Sequence, residues 1–177
     1  MDFLEIAQQR QSTRNYQKDK PVEQEKLDAC LQAFRLAPSA CNSQPYHATV
    51  ATGAFAQQVG AATRGLGMNQ FTVNVPAFVV ITEASYNFTA GAGAKVKGQD
   101  YRSVDIGIAA AYLTAQATAL GLGSCMLGWF DQKKLQALLK TKKPVRLVIA
   151  LGYASPEDPL RPKVRRPLEA LVSYREE

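Results

Sequence analysis

An apolar, alanine-rich segment from Val104 to Leu120 sets the strongest limit on the architecture of this chain. Apolar residues occur on nearly every side of the helix that the segment would form, and such a helix is stable only where other elements cover it. The segment falls short of the ~18–20 apolar residues of a membrane span, and it contains Asp105 and Gln116. We therefore predict a buried central helix and no membrane partner.

Helical and strand-like patterns alternate along the rest of the chain. No repeat or linker interrupts them, so we expect residues 1–177 to form one layered domain of the α+β or α/β type. Asp131 is placed to cap a helix whose inner face carries Leu135, Leu138 and Leu139. The other predicted helices cover Asp2–Gln9, Pro21–Leu36 and Gly53–Thr63, and the predicted strands cover His47–Thr52, Ala77–Thr82, Ser124–Phe130 and Val145–Tyr153.

The stretch from Glu83 to Arg102 shows little periodicity and contains the sequence GAGAKVKG. We predict a long loop there, and loops of that length often act as lids or binding loops. Gly93 and Gly98 have the spacing of a phosphate-binding P-loop, but Gln99 and Asp100 follow where lysine and serine or threonine are needed. We therefore interpret these glycines as turns or caps.

Composition argues against a metal centre. The chain is 46% hydrophobic and 20% charged, as a folded globular protein is. Cys30, Cys41 and Cys125 lie far apart and His47 is the only histidine, so four clustered zinc ligands are not available. We expect three buried or half-buried thiols in a reducing compartment.

The N-terminus lacks the features of a secretory signal, which favours a cytoplasmic location.

No side chain is singled out as a catalytic acid, base or nucleophile. A Ser39–His47–Asp105 triad can be drawn, but no nucleophile elbow accompanies it. Asp28, Asp100 and Asp105 are interpreted as surface or capping residues. The sequence thus offers no candidate for side-chain catalysis.

The net charge of +6 is concentrated near the two ends of the chain. Two such clusters can meet on one small anion, although charged runs are more often simply solvated. An isoelectric point near 9.3 also admits a basic nucleic-acid-binding protein, but no binding fold or aromatic interleaving supports that alternative. The clusters consist of Arg10, Arg14, Lys18 and Lys20, and of Arg161, Lys163, Arg165 and Arg166.

Four segments are rich in hydrogen-bond donors, namely residues 10–14, 38–46, 126–129 and 163–168. The arginines and lysines suit a phosphate group. The neutral polar residues of segment 38–46 suit a polar ring or a ribityl chain, and its flanking prolines stiffen it. A ligand with one phosphate and one polar ring would use all four segments.

In their order, these segments resemble the landmarks of the FMN-dependent nitroreductase family, in particular its short NAD(P)H-dependent members. The resemblance spans about Asp2 to Val172. It is carried by RQSTRNY, LAPSACNSQPYH, DIGIAAAYLTAQATALGLGSCMLGWFD and ALGYASPEDPLRPKVRRPLEALV.

The resemblance implies an α+β, nitroreductase-like fold with a central, mainly antiparallel sheet flanked by helices. It further implies an intertwined homodimer with FMN at the interface and NADH or NADPH as electron donor. The implied activity is the ping-pong reduction of a small-molecule electron acceptor, such as a nitroaromatic or a quinone, through flavin N5. The flavin would carry the chemistry, with no catalytic side chain, no metal and no nucleic acid.

The resemblance also assigns residues to the cofactor. Arg10, Ser12 and Arg14, with Gln11 beside them, would bind the phosphate or ribityl chain, and Lys163 and Arg165 would complete that site. Pro38, Ser39 and Asn42 of the other subunit would contact the ring, with Gln44 close by. Leu127, Gly128 and Trp129 would bring a backbone N–H to the flavin, and Asn69 would contact its pyrimidine side.

Two departures from the family and one alternative remain. Gln11 stands where many relatives have a basic residue, which leaves phosphate binding to the arginines and the C-terminal pair. Leu127-Gly128-Trp129 stands where some relatives have Glu-Gly, so donation to the flavin must come from the backbone. A flavin-binding scaffold without useful turnover is the main alternative to an enzyme.

Overall fold

A four-stranded antiparallel sheet forms the centre of the computed structural model, which describes residues 1–176. The strands lie in the order β1-β2-β4-β3, so that β2 and β4 are central and β1 and β3 are the edges. Each pair of neighbouring strands within residues 1–176 is antiparallel, as the family resemblance implied. The strands are β1 (Tyr46–Thr52), β2 (Ala77–Glu83), β3 (Gly123–Leu127) and β4 (Val145–Gly152).

Helices cover both faces of the sheet. Alternate residues of β2 point to opposite sides, so Val79 and Ile81 join one apolar cluster while Phe78 and Val80 join the other. The first cluster includes residues of α2 and α5, and the second includes residues of α3 and α6. The helices are α1 (Phe3–Gln9), α2 (Gln24–Leu36), α3 (Gly53–Thr63), α4 (Phe88–Lys97), α5 (Tyr101–Ala119) and α6 (Gln132–Leu138).

The central helix α5 is less covered than its sequence predicts. Its residues Ile106, Ala109 and Leu113 are buried against α2 and the sheet, but Val104 and Tyr112 are exposed. The exposed side of α5 meets α1, and the two helices border an apolar groove of about 430 Å³. One chain therefore leaves an apolar helical face open to solvent.

The prediction of a long loop from Glu83 to Arg102 is wrong, because α4 occupies half of it. Asn87 caps α4 by accepting a hydrogen bond from the Ala90 N–H (2.9 Å), and Gly98 ends it with a φ of 63°. Gly93 lies inside the helix. Only Ala90 of α4 is buried, so the helix has no apolar stripe that periodicity could detect.

Two residue-level predictions are also wrong. Cys41 is exposed, whereas Cys30 and Cys125 are buried as expected; burial raises the pKa of Cys30 to about 11. Asp105 is neither a cap nor a surface residue, because segment 38–44 covers it and leaves it 2% exposed. Asp100 is the N-cap of α5, as predicted.

Three boundaries differ from the sequence-based predictions by three residues each. The second helix begins at Gln24 rather than at Pro21, and the third strand ends at Leu127 rather than at Phe130. The central helix begins at Tyr101, three residues before the apolar segment. Within residues 1–176, no helix combines the length and hydropathy of a membrane span, and no cluster of three potential metal ligands occurs.

Candidate functional site

Segment 10–14 follows α1 and lies along the outer edge of β3. The Thr13 N–H donates to the Ser124 carbonyl (2.9 Å), and Ser12 and Ser124 form a parallel bridge. Gly123 permits this approach, since a Cβ at that position would lie 2.5 Å from the Thr13 hydroxyl oxygen. The segment thus extends the sheet without belonging to a regular strand.

Segment 161–165 returns from the far end of the sequence and binds segment 10–14. The Gln11 side chain accepts from the Arg161 N–H (3.0 Å), and the Lys163 ammonium donates to the Arg10 carbonyl (2.6 Å). The Arg161 guanidinium donates to the Ser12 carbonyl (2.5 Å). These bonds join parts of the chain that lie about 150 residues apart.

The two segments enclose a small basic cavity of about 210 Å³. Arg161 is paired with Asp158 (2.5 Å), while the other four basic side chains have no salt bridge within residues 1–176. Partial burial, and then the positive charges of Arg10, Arg165 and Arg161, lower the pKa of Lys163. Such a cavity attracts a small anion of high charge. Its lining residues are Arg10, Gln11, Ser12, Arg14, Arg161, Pro162, Lys163 and Arg165.

The cavity therefore brings together every residue that was assigned to the phosphate or ribityl chain. Sequence analysis did not assign Arg161 to this site, although it lies in the basic run RPKVRR. Arg166 belongs to the same run but donates to the Ala170 carbonyl (3.0 Å) and does not line the cavity. Three of the four basic residues of the run, Arg161, Lys163 and Arg165, therefore line one small cavity.

A second, more apolar cavity of about 270 Å³ adjoins the basic one. The two cavities share Arg10 and Arg165. Met126 lines the apolar cavity because its side chain leaves β3 on the opposite side from Cys125 and Leu127, which are buried. A sequence signal for this role exists, because successive side chains of a strand point to opposite faces, but it was not used to place Met126.

The turn after β3 is fastened by Asn69. The Asn69 amide donates to the carbonyls of Trp129 and Thr63, at 3.1 Å each. Asn69 itself has a φ of 55°, a left-handed conformation that asparagine tolerates. The structure thus places Asn69 beside Gly128 and Trp129, both exposed, while Leu127 is buried.

The proline-flanked loop lies elsewhere. Pro38, Ser39, Asn42 and Gln44 lie in segment 38–44, which leads into β1 at the opposite edge of the sheet from β3. Three strand spacings of ~4.8 Å separate the two edges, roughly 14 Å in all. A single chain does not bring this loop to the basic cavity.

Comparison with known proteins decides the family. The sequence model of the nitroreductase family matches residues 7–153. The chain belongs to the nitroreductase family. The match runs from α1 through β4, and segment 161–165 lies beyond it.

Relatives of this nitroreductase-family chain include a curated bacterial enzyme and solved structures. The FMN reductase [NAD(P)H] of Bacillus subtilis (strain 168) is 29% identical over 172 residues, covering 90% of this chain and 68% of that protein. A nitroreductase family protein from Clostridium difficile 630 is 26% identical, with a TM-score of 0.80 and complete coverage of both chains. An FMN-dependent nitroreductase from Clostridium difficile R20291 is also 26% identical, with a TM-score of 0.75 and coverage of 98% and 99%.

Proposed function

We propose that this chain is an FMN-dependent oxidoreductase that takes electrons from NADH or NADPH and reduces nitroaromatics, quinones or similar electron-poor acceptors. The observation that carries the proposal is the basic cavity built by both ends of the chain. Its size, its clustered charges and the apolar cavity beside it match a ligand with one phosphate and one flat ring system. The family and the FMN reductase relative support the same conclusion.

The basic cavity fits the phosphate of FMN. Arg10, Arg14, Lys163 and Arg165 have no carboxylate partner, so a dianion would relieve their mutual repulsion. Arginine supplies forked donors that match phosphate oxygens. Ser12 and Gln11 add neutral polar groups at the cavity wall, where the ribityl chain would continue toward the apolar cavity.

The complete site requires two chains. Segment 38–44 lies at the far edge of the sheet from the basic cavity, so it can reach an FMN only in another subunit. The apolar groove between α1 and α5 offers a surface on which a second copy would pack. We therefore propose a homodimer in which each FMN contacts the segment 38–44 of the partner.

The chain's own residues bind and orient, and they do not act as acids or bases. Neither cavity is lined by a carboxylate or a histidine. When bound, FMN supplies the redox chemistry, accepting a hydride from the nicotinamide and passing electrons to the acceptor. The cluster of positive charges favours negative charge on the ligand. The backbone of residues 127–129 would offer N–H groups to the flavin.

A visible spectrum of the purified protein, before and after addition of FMN, tests the proposal. We expect a bound flavin that is bleached by NADH or NADPH without oxygen and recovers on addition of a quinone. A protein that binds no FMN contradicts the proposal. A bound flavin that neither nucleotide bleaches indicates a scaffold without turnover.

A further inference from the structure

The backbone of segment 38–44 adopts conformations that most residues avoid. Cys41, Asn42 and Gln44 have φ values of 50°, 51° and 45°, in the left-handed region that favours glycine. Non-glycine residues keep such conformations only where surrounding groups impose them, and such residues concentrate at ligand sites. The groups that impose this backbone are therefore candidates for a functional role.

Asp105 holds the start of the loop from α5. Its Oδ1 accepts a hydrogen bond from the Ala40 N–H (3.0 Å), while its Oδ2 has no hydrogen-bond partner. Asp105 is 2% exposed, and none of the salt bridges within residues 1–176 includes it. Burying a polar oxygen that has no hydrogen-bond partner is unfavourable for folding, so a role confined to fold stability explains Asp105 poorly.

Asn87 holds the other side of the loop from α4. Its side-chain N–H donates to the Cys41 carbonyl (2.8 Å), and its backbone N–H donates to the Ser43 hydroxyl (2.8 Å). Its Oδ1 simultaneously caps α4 through the Ala90 N–H. One side chain thus links the left-handed residue Cys41 to the first turn of a helix.

We propose that Asp105 and Asn87 are positioning residues that preset the shape in which segment 38–44 meets FMN. Asp105 fixes the backbone N–H immediately before Cys41, and Asn87 fixes the carbonyl of Cys41 itself. A preset loop loses little conformational entropy on binding, which strengthens the complex. The inference rests on the proposed function, because that proposal makes the loop a cofactor contact.

Cys41 provides a test that does not require FMN. Its thiol is exposed whereas those of Cys30 and Cys125 are buried, so 5,5′-dithiobis(2-nitrobenzoate) added to the apoprotein reports on this loop. Two variants each remove one of the hydrogen bonds that hold the loop, and we call them the loss variants: Asp105→Ala and Asn87→Asp. The second keeps an oxygen to cap α4, removes the donor to Cys41 and places a carboxylate oxygen against the Cys41 carbonyl.

Two further variants serve as controls. Asp105→Asn keeps an oxygen that can accept from Ala40. Asp100→Ala removes the N-cap of α5 without any contact to segment 38–44. Each variant is assayed for the rate of thiol modification, for the Kd of FMN by fluorescence titration, and for the free energy of unfolding.

We expect Asp105→Ala and Asn87→Asp to raise both the thiol rate and the FMN Kd by about tenfold, the effect of a lost strong hydrogen bond. In both control variants, the thiol rate and the FMN Kd should stay within about twofold of the wild-type values. Unchanged values in the loss variants, or equal changes in Asp100→Ala, overturn the inference. If the wild type binds no FMN, the proposed function fails, while the thiol rates still decide whether the two residues hold the loop.

Discussion

Arg165 and Arg166 are neighbours in the sequence with different surroundings, and their contrast tests the phosphate site. Arg165 lines the basic cavity, whereas Arg166 donates to the Ala170 carbonyl outside it. We expect Arg165→Ala to weaken FMN binding by about 1–2 kcal/mol, roughly 5- to 30-fold in Kd, because a charge-assisted bond to phosphate is lost. Arg166→Ala removes the same charge and should change the Kd by less than about twofold.

Fluorescence titration at low and high salt distinguishes a local contact from the overall field of the protein. A loss in Arg165→Ala that persists at high salt supports direct contact. Equal losses in the two variants would show that general positive charge, rather than the cavity, attracts FMN.

We expect Lys163 to make FMN binding dependent on pH. Partial burial and three neighbouring arginines lower the pKa of Lys163 in the free protein, and a bound phosphate favours the charged ammonium and raises that pKa again. As pH rises through the lowered pKa, the free protein loses the proton that binding requires, so affinity should fall. We expect the Kd to increase as pH rises from neutral toward the ordinary lysine pKa of 10.5, a range in which the phosphate stays dianionic.

Lys163→Arg is the matched variant for this effect, because arginine stays charged throughout that range. The FMN Kd of this variant should rise less with pH than that of the wild type. Because titration of FMN itself affects both proteins equally, the difference between them is due to Lys163. If the FMN Kd of the two proteins changes with pH in the same way, Lys163 is not the source of the pH dependence of binding.

At the level of elements, the seam between β3 and segment 10–14 supports the basic cavity. In Gly123→Ala the new methyl group would meet Thr13, and overpacking of this kind costs about 1–3 kcal/mol of unfolding free energy. Thr13→Ala removes the two atoms closest to the new methyl group. Gly123→Ala should therefore lower the unfolding free energy by less in a Thr13→Ala protein than in the wild type. Chemical denaturation measures both effects, and FMN titration should show weaker binding in Gly123→Ala.

Gly93→Ala serves as the control for this seam. Gly93 lies inside α4 with ordinary room for a methyl group, so alanine should stabilise the protein by about 0.5–1 kcal/mol. If the changes in unfolding free energy caused by Gly123→Ala and Thr13→Ala simply add in the double variant, the two side chains do not clash.

The elements also show which parts of the fold were predictable. β2 was found because its residues 78–82 are all β-branched or aromatic, and the helix after Asp131 was found from its cap. α4 was missed because Gly, Ala and Lys dominate it and one buried residue, Ala90, leaves no periodicity. Asp105 was misplaced because its burial depends on a loop that is distant in sequence.

At the scale of the whole molecule, the open groove between α1 and α5 predicts self-association. Tyr112 lines the groove, is exposed in a single chain and does not line the basic or the apolar cavity, so Tyr112→Glu would place a charge in the proposed interface only. We expect this variant to sediment as a monomer and to lose most FMN binding, since segment 38–44 of a partner is then absent. Analytical ultracentrifugation with FMN titration measures both.

Ala54→Glu, on the exposed side of α3, is the corresponding control and should remain dimeric. A wild-type chain that sediments as a monomer and still binds FMN would contradict the two-chain site.

The basic cavity shows how far sequence reasoning reaches for the whole molecule. Arg10, Arg14, Lys163 and Arg165 were predicted to act together from their charge and from the family resemblance, and the structure brings them around one cavity. Arg161 was left out because its contact with the Ser12 carbonyl depends on the path of the returning chain. Local patterns identify donors, whereas the folded path decides which of them meet.

The division of this cavity between residues 10–14 and 161–165 has a consequence for biosynthesis. A nascent chain exposes its first arginines long before the ribosome has decoded their counterparts. Under the proposed function, phosphate capture would wait until residue 165 has left the ribosome, after all four strands of the sheet. Loading with coenzyme would then be a late event in the maturation of this polypeptide.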